Sequence, residues 1–312
     1  MYNTIRLREN EMSNLNITCT LCHNIEVNEI STHIRNIEDA SCKMYECTTC
    51  QTHFLYPQPE SLELEDYYDG KFREEVHTSH YYEESKLMQT FLRFTPEANI
   101  RVDRIQKELA PNDDILEIGC SVGYFLKAIV DKVNLAYGTE WDTRARDYVN
   151  NYIKDDRIHV RQNPEDFNIK FDKIFMFHVL EHIADPIKFL TELKKLLKPN
   201  GKIYIEVPNV DDALVKTYQS ESFKNFYYKK AHLYNFNETG LKYIFDQCDF
   251  NYSINFIQRY DISNHFYWLA NQKPGGNGYY KNILSEKVNE EYIESLIDAK
   301  QTDTLFSVLI QK

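Results

Sequence analysis

A strand that runs into a glycine turn and then a helix constrains this 312-residue chain more than any other feature. Residues 114–123 read DILEIGCSVG, and apolar residues at helical spacing follow, at Val122, Phe125, Leu126, Ile129, Val130 and Val133. Such a turn needs glycine where a ligand lies against bare backbone. Ser121 stands where a G-x-G-x-x-G turn has its middle glycine, so the turn disfavours a dinucleotide.

Short apolar runs alternate with helical patterns after residue 113. The runs cover residues 114–119, 135–140, 157–162, 171–178 and 201–208, and the last is preceded by a helical pattern at Ile187, Leu190, Leu193, Leu196 and Leu197. This alternation predicts a parallel sheet with helices on both faces. We expect the runs at 250–261 and 302–312 to complete the sheet as an antiparallel hairpin, separated by an insertion at about 262–300.

Charge and hydropathy limit the partners of the chain. Its formal net charge is −12, which disfavours nucleic acid because binding to phosphate backbones relies on lysine and arginine. The first twenty residues lack the apolar run of a secretory signal, and no later run approaches the roughly 18 apolar residues of a membrane span. We therefore expect a soluble, cytoplasmic protein without a membrane span.

The pattern Glu117-x-Gly119-x-x-x-Gly123 resembles motif I, E/D-x-G-x-x-x-G, of the class I methyltransferases, and the resemblance extends over roughly residues 96–210. It implies a Rossmann-like α/β fold with a seven-stranded sheet and S-adenosylmethionine as the cofactor. The resemblance further implies that Glu117 helps to hold the amino end of the cofactor and that the two glycines let it approach the backbone.

Two later strand ends support an adenosyl ligand. Glu140 ends the second strand about 20 residues after the glycine turn, where a carboxylate can accept hydrogen bonds from both ribose hydroxyls. Residues 162–167 resemble the adenine-contacting D-A-x-D-L segment of the family, with Asn163 in place of the acid. The residues expected to bind the cofactor are Glu117, Gly119, Cys120, Gly123, Glu140, Trp141, Asn163, Pro164, Phe177 and His178.

Two histidines are candidate catalytic bases. Residues 177–186, FHVLEHIADP, are similar to the V-L-E-H-x-x-D-P segment of small-molecule methyltransferases, and they place His178 at the tip of the fourth strand. An imidazole there can take a proton from an attacking hydroxyl. His178 can equally serve packing or acceptor orientation. His232 is the second candidate, because residues 232–237 resemble the H-L-x-x-F-T segment of such relatives.

The letters H-x-x-E-H at His178, Glu181 and His182 also match a zinc-protease motif. That motif requires one continuous helix, so that ligands four residues apart share a face. The run 171–178 reads as a strand, and Asp185-Pro186 closes the turn that follows. The sequence therefore argues against a protease.

Five of the seven cysteines lie in the first 50 residues. The pairs Cys19-x-x-Cys22 and Cys47-x-x-Cys50 are separated by 24 residues, and each pair can offer two thiolates to one tetrahedral zinc ion. A redox dithiol would explain one pair but not two. Substitute ligands would be Cys42, His23 and His53, with Cys42 interpreted as a spare.

The run from Cys47 to Tyr67 resembles the cysteine-rich head of sugar methyltransferases in deoxysugar and surface-polysaccharide pathways. We expect a zinc-ribbon-like head at 1–60, a helical linker or lid at 61–110, and a methyltransferase domain at 111–312. The resulting hypothesis is O-methylation of a sugar, either nucleotide-linked or part of a glycan. Oxygen is favoured over carbon as the target, because the carbon-methylating relatives have a large additional C-terminal domain and this chain ends with the last predicted strand. Alternatives are a zinc-head rRNA base methyltransferase and a catalytically silent zinc scaffold. The oligomeric state stays open.

Overall fold

The computed structural model describes residues 17–37, 41–59 and 84–312. Within this part of the chain the strands are β1 (Val27–Ser31), β2 (Lys43–Cys47), β3 (His53–Tyr56), β4 (Asp114–Ile118), β5 (Leu135–Thr139), β6 (Ile158–Arg161), β7 (Phe171–Phe177), β8 (Leu197–Pro208), β9 (Tyr234–Asn235), β10 (Phe250–Ile257) and β11 (Thr304–Gln311).

The helices are α1 (Glu84–Ile105), α2 (Tyr124–Ile129), α3 (Thr143–Tyr152), α4 (Pro186–Lys195), α5 (Ala213–Lys216), α6 (Glu221–Tyr227), α7 (Glu238–Gln247), α8 (Ile262–Asn271) and α9 (Glu286–Asp298). Side-chain caps begin several of them: Asp142 accepts from the amides of Arg144 and Ala145, and Asp185 accepts from the amide of Lys188. No helix in the described ranges combines the length and apolar character needed to cross a bilayer.

Seven strands form the central sheet in the order β10-β11-β8-β7-β4-β5-β6. The strands β4 to β8 pair in parallel, whereas β11 pairs antiparallel with both β8 and β10. Apolar residues of the central strands are fully buried between two helical layers, as at Leu116, Ile174 and Ile203. The predicted Rossmann-like seven-stranded sheet is confirmed, including the antiparallel hairpin of β10 and β11.

The order of the strands reverses between β4 and β7. The chain winds outward from β4 through β5 to β6, and then returns to β7 on the other side of β4. Open α/β sheets bind ligands at such a switch point, outside the carboxyl ends of the strands. The edge formed by the ends of β4, β5 and β7 is therefore where a site is expected.

The helix before β8 is shorter than the sequence pattern indicates. It ends at Lys195, and β8 already begins at Leu197, which pairs with Phe171. The sequence Pro199-Asn200-Gly201, which is typical of the end of a helix, consequently lies inside the irregular start of β8, where the register shifts. Pairing with β7 therefore ends the helix before these residues.

The described N-terminal residues 17–37 and 41–59, here called the head, form a sheet with part of the later chain. Strands β1, β2 and β3 pair antiparallel, and the fourth strand of this sheet is β9, where His53 pairs with Asn235 and Phe54 with Tyr234. A second link is an isolated bridge between Arg35 and Lys229. The head is thus joined by backbone hydrogen bonds to the segment that follows β8.

Candidate active site

The glycine turn after β4 depends on left-handed backbone. Gly119 has φ of 71° and Gly123 has φ of 76°, and Ser121 between them has φ of 52°. A Cβ atom on Gly119 would lie 2.8 Å from Cγ2 of Val179, so the backbone of β4 approaches the segment after β7 closely. Only glycine meets both demands at residue 119.

Glu140 closes this turn from the end of β5. Its Oε2 accepts a hydrogen bond from the amide of Ser121 at 2.9 Å, and its Oε1 accepts one from the amide of Asp142 at 3.0 Å. The amide of Cys120 donates to the carbonyl of Thr139 at 2.8 Å. The predicted cofactor residues on β4 and β5 therefore lie side by side at one edge.

The remaining predicted cofactor residues lie along the same edge. Trp141 follows Glu140 and is 37% exposed, and the amide of Glu140 donates to the carbonyl of Arg161 at the end of β6. Asn163 and Pro164 come directly after β6, where the Asn163 amide donates to Asp166 at 3.1 Å. Phe177 ends β7 next to His178.

Glu117 is the last but one residue of β4 and is only 2% exposed. Its Oε2 has no hydrogen-bond partner. Burial raises the pKa of Glu117 to about 8, helped by the charge of Glu140 and opposed by that of Arg101. A buried carboxyl group with one unpaired oxygen, beside a bare glycine turn, fits the ammonium group of S-adenosylmethionine, and Glu140 fits its ribose.

His178 follows β7 with φ of 57°, a conformation that is uncommon for a residue with a side chain. Its Nε2 lies 2.8 Å from Nη1 of Arg259 and 3.3 Å from Oε1 of Glu206, and its Nδ1 lies 3.6 Å from Oε1 of Glu181. Burial and the charge of Arg259 lower the pKa of His178, but the two carboxylates outweigh them, so the pKa is raised.

Glu206 in β8 is a buried anion that two arginines of α1 neutralise. Arg101 donates to its Oε1 at 2.6 and 3.2 Å, and Arg104 donates to its Oε2 at 3.0 Å. Burial opposes ionisation of Glu206, but His178 and Arg101 hold its pKa well below the usual range. Sequence reasoning missed Arg101, Arg104, Glu206 and Arg259, because no local motif links residues so distant along the chain.

A second polar group lies beside His178. Oε1 of Glu181 lies 4.0 Å from Nε2 of His182 and 3.9 Å from Nε2 of His232, and the ligand atoms of these three residues lie within 4.8 Å of one another. Glu181 is 1% exposed, and neither of its oxygens has a hydrogen-bond partner. Burial lowers the pKa of His182 to about 4 and that of His232 well below its usual range.

The helix that the H-x-x-E-H protease motif requires is not formed here. Residues 171–177 are strand β7, and Leu180–His182 is a single 3₁₀ turn. His178 and His182 therefore do not share a helical face. The structure agrees with the sequence argument against a protease.

One more buried polar atom without a partner lies beyond this cluster. It is the Tyr227 hydroxyl, and the side chain of Asp212 is also buried. Burial raises the pKa of Asp212 to about 8, with a contribution from the charge of Asp303. Burial also raises the pKa of Tyr227, with smaller contributions from the charges of Asp212 and Glu181. The sequence offers tyrosines 67, 68, 81, 82, 227 and 228 as candidates for the wall of a sugar-sized pocket, and the first four lie outside the described residues.

The four cysteines of the two predicted pairs meet in the head. Sγ of Cys19 lies 3.7 Å from that of Cys50, Sγ of Cys22 lies 3.4 Å from that of Cys47, and all four sulfurs are within 4.8 Å of one another. Tetrahedral zinc with Zn–S bonds of about 2.3 Å requires S–S separations of about 3.8 Å. The backbone amide of Thr49 also donates to Sγ of Cys47 at 3.4 Å. The four thiols fit a zinc ion, and Cys42 is not part of the group.

The head also reaches the histidine cluster. Asn235 in β9 pairs with β3, and its Nδ2 donates to Sδ of Met44 in β2 at 3.6 Å. Its Oδ1 lies 3.2 Å from Nδ1 of His232. The ring orientation of His232 therefore depends on a residue that the head holds.

Comparison with known proteins identifies the domain. A family model described as a methyltransferase domain matches residues 86–253, more than half of the chain. The chain belongs to the methyltransferase-domain family. This methyltransferase domain is similar to tRNA U34 carboxymethyltransferase of Nautilia profundicola, with 31% identity over 128 residues that cover 38% of this chain and 42% of the relative.

A second relative of the methyltransferase domain is the ubiquinone biosynthesis O-methyltransferase of Coxiella burnetii. The two are 23% identical over 154 residues, 47% of this chain and 58% of the relative. The chain thus spans about half the length of the curated relatives it matches. Phosphoethanolamine N-methyltransferase 2 of Haemonchus contortus, solved with S-adenosyl-L-methionine, shares the fold, with a TM-score of 0.52, 15% identity, and coverage of 83% of this chain and 62% of that chain.

Proposed function

We propose that the protein transfers a methyl group from S-adenosylmethionine to a hydroxyl oxygen of a sugar, either nucleotide-linked or part of a glycan. The observation that carries this proposal is that two groups of residues, one suited to the cofactor and one suited to proton transfer, lie at one edge of the sheet. The glycine turn with Glu117 and Glu140 fits the cofactor, and His178, Glu181 and His232 form a buried polar group after β7. Membership of the methyltransferase-domain family supports the reaction type.

The cofactor would supply a methyl group bound to a positively charged sulfur. Glu117 would bind its ammonium group, Glu140 would accept hydrogen bonds from its ribose, and Asn163 and Pro164 would flank its adenine. The acceptor oxygen would form the new bond to the methyl carbon while the carbon–sulfur bond breaks, and the hydroxyl proton would pass to a histidine. The products are a methyl ether and S-adenosylhomocysteine.

Of the two candidate bases, His178 is favoured by accessibility. Its side chain is 27% exposed, whereas that of His232 is 7% exposed and is fixed between Glu181 and Asn235. Glu206 and Glu181 flank His178 and stabilise an imidazolium that has received the proton. An acceptor hydroxyl would take the place of Arg259 at Nε2. His178 is therefore our choice for the catalytic base.

A polyhydroxylated acceptor is supported by the buried Tyr227 hydroxyl, which has no hydrogen-bond partner and is affected by the charges of Asp212 and Glu181. A buried polar group is costly unless a ligand satisfies it. Sugar hydroxyls both donate and accept hydrogen bonds. A purely apolar acceptor would leave this hydroxyl unsatisfied.

For the head we propose a structural zinc ion held by Cys19, Cys22, Cys47 and Cys50. The positions of the four sulfur atoms support this zinc ion. The pairing of β3 with β9 connects the zinc-bound head to the residues around His232. By fixing Asn235, the head would shape the acceptor side of the site and leave the cofactor side to β4 and β5.

The test is methyl transfer from labelled S-adenosylmethionine to a panel of nucleotide sugars and oligosaccharides. We expect a labelled methyl ether with at least one member of the panel. His178→Ala should lower kcat by about 10²- to 10⁴-fold, because it removes the proposed base. His33→Asn, an exposed histidine of the head, is the matched control. Cofactor binding without turnover on any sugar would contradict the proposal.

A nucleic-acid acceptor is the second candidate, favoured by the similarity to a tRNA U34 carboxymethyltransferase. The net charge of −12 argues against it. A gel-shift titration with tRNA at two salt concentrations separates the candidates. Binding that weakens steeply with salt would favour RNA, and the absence of binding would favour the sugar.

A further inference from the structure

We propose that Glu181, His182 and His232 form a second metal site, which binds a divalent transition-metal ion of the zinc type through one carboxylate and two imidazole nitrogens. This inference goes beyond the proposed methyl transfer, and its evidence does not depend on the identity of the acceptor. It stands on the arrangement of donor atoms around an unpaired buried carboxylate.

Hydrogen bonds orient both imidazoles towards Glu181. Nδ1 of His182 lies 2.6 Å from the carbonyl of Ala231, an acceptor, so Nδ1 carries the proton of the neutral ring. Nδ1 of His232 faces Oδ1 of Asn235 in the same way at 3.2 Å. Each ring therefore presents the lone pair of Nε2, and both Nε2 atoms face Oε1 of Glu181 at 4.0 and 3.9 Å.

This arrangement is unfavourable without a cation. Three electron-pair donors converge, and neither oxygen of the buried Glu181 carboxylate has a hydrogen-bond partner. A buried charge is expensive unless it is paired or coordinates a metal. A metal-binding histidine typically donates its other ring N–H to a backbone carbonyl or a polar side chain, which is what Ala231 and Asn235 provide.

Neighbouring cations do not replace the ion. His178 Nδ1 is 3.6 Å from Glu181 Oε1, beyond hydrogen-bond range, while its Nε2 contacts Arg259. The charge of Lys229 acts on Glu181 at longer range, without a hydrogen bond to either oxygen. We do not propose a metal ion at the neighbouring group of Glu97, His178 and Glu206, because Arg101 and Arg104 already neutralise Glu206.

The donor set indicates which ion fits. Two imidazoles and one carboxylate suit zinc and similar ions, and three protein ligands leave a coordination position for water or an acceptor oxygen. Zn–N bonds of about 2.0–2.1 Å place tetrahedral ligands about 3.4 Å apart, so each Nε2 would move about half an ångström towards Glu181. Such a shift is within the reach of side-chain rotation.

Cobalt titration of the full-length chain tests the site directly, because Co²⁺ reports its ligands by absorption. The protein is first stripped with a chelator. We expect two equivalents of Co²⁺ to bind: one with the intense thiolate-to-cobalt bands of the four-cysteine group, and one with weak visible bands alone. Glu181→Gln should lose the second equivalent and retain the first. Cys22→Ser should lose the thiolate bands and retain the weak visible bands, with a lower affinity at the second site because the head holds Asn235.

The thiolate bands serve as an internal measure of folding in Glu181→Gln, since they require an intact head. Asn235→Ala keeps all three ligands and should weaken the second equivalent by about 10- to 100-fold. His33→Asn should retain both equivalents. One equivalent in the wild-type chain, or an undiminished second equivalent in Glu181→Gln, would overturn the proposal. Failure of this proposal is distinguishable from failure of the proposed methyl transfer, because methyl transfer is measured separately with labelled S-adenosylmethionine.

Discussion

Phe54 in strand β3 of the head pairs with Tyr234 in β9, two residues beyond His232. The same strand carries Asn235, which contacts the His232 ring and receives support from Met44. The N-terminal cysteine group and the histidine cluster are therefore connected through three strands. Variants in the head should therefore affect the acceptor side of the site, whereas variants in the glycine turn should affect the cofactor side.

Cys47→Ser removes one thiolate from the four-cysteine group. We expect loss of zinc, a lower Tm and impaired acceptor turnover, because structural zinc contributes directly to folding energy. Affinity for S-adenosylmethionine should stay within about twofold, as expected for well-separated sites. Metal analysis, thermal melting and calorimetry check these outcomes. Cys42→Ser is the control and should keep its zinc; loss of zinc in that variant would contradict the assigned ligands.

Gly119→Ala and Gly278→Ala form a matched pair. Both glycines have φ of 71°, but a Cβ would lie 2.8 Å from Val179 at Gly119 and would meet nothing within 4 Å at Gly278. Each variant should lose roughly 1–2 kcal/mol for left-handed backbone. Only Gly119→Ala should lose more stability and also cofactor affinity. Equal free energies of unfolding, measured in urea, together with unchanged cofactor binding in both variants would contradict this account.

The main elements of the fold, and the proximity of the residues proposed to bind the cofactor, could be predicted from sequence because they depend on neighbouring residues. Glu117, Gly119 and Gly123 share one strand and its turn, and Glu140 ends the next strand. Parallel pairing then brings these ends together. The confirmed sheet follows the same local alternation of strand and helix.

The other half of the site depends on packing between distant segments. Arg101 and Glu206 are 105 positions apart, and nothing in the local pattern of α1 marks Arg101 as a buried residue. The two-residue strand β9 carries no periodicity of its own, so its pairing with the head had no sequence signal. Glu181 lay within a recognised segment, but its contact with His232 required the fold.

Arg101→Met tests the buried ion pair. Removal of the guanidinium leaves Glu206 with Arg104 alone on that side, and breaking a buried pair costs about 3–5 kcal/mol. Urea unfolding measures the loss. Lys195→Gln breaks an exposed pair with Glu192 and should leave the unfolding midpoint almost unchanged. A similar, small effect in both variants would show that Arg101 does not stabilise the fold through Glu206.

The raised pKa of Glu117 predicts that a proton is released when the cofactor binds. Its folded pKa is about 8, against an ordinary value of 4.5, so the ligand-free fold binds this proton at pH 7. In the unfolded chain, Glu117 has already lost this proton at pH 7. Because the folded state binds one proton more than the unfolded state between about pH 4.5 and 8, the contribution of Glu117 to stability decreases as the pH rises through this range. The ammonium group of the cofactor favours the carboxylate, so binding should release close to one proton.

Calorimetry at pH 7 in buffers of different ionisation enthalpy measures this proton. Glu117→Gln, which has no ionisable group at that position, should release none and should bind the cofactor more weakly. Equal proton release in the wild-type chain and in Glu117→Gln would show that another group titrates.

The most direct measurement is a calorimetric titration of the full-length chain with S-adenosylmethionine and with S-adenosylhomocysteine. The account predicts saturable binding of both ligands at one site per chain, with binding strongly reduced in Gly119→Ala. Absence of heat and of thermal stabilisation with either ligand would contradict the claim that the edge formed by Glu117, Gly119 and Glu140 is a cofactor site.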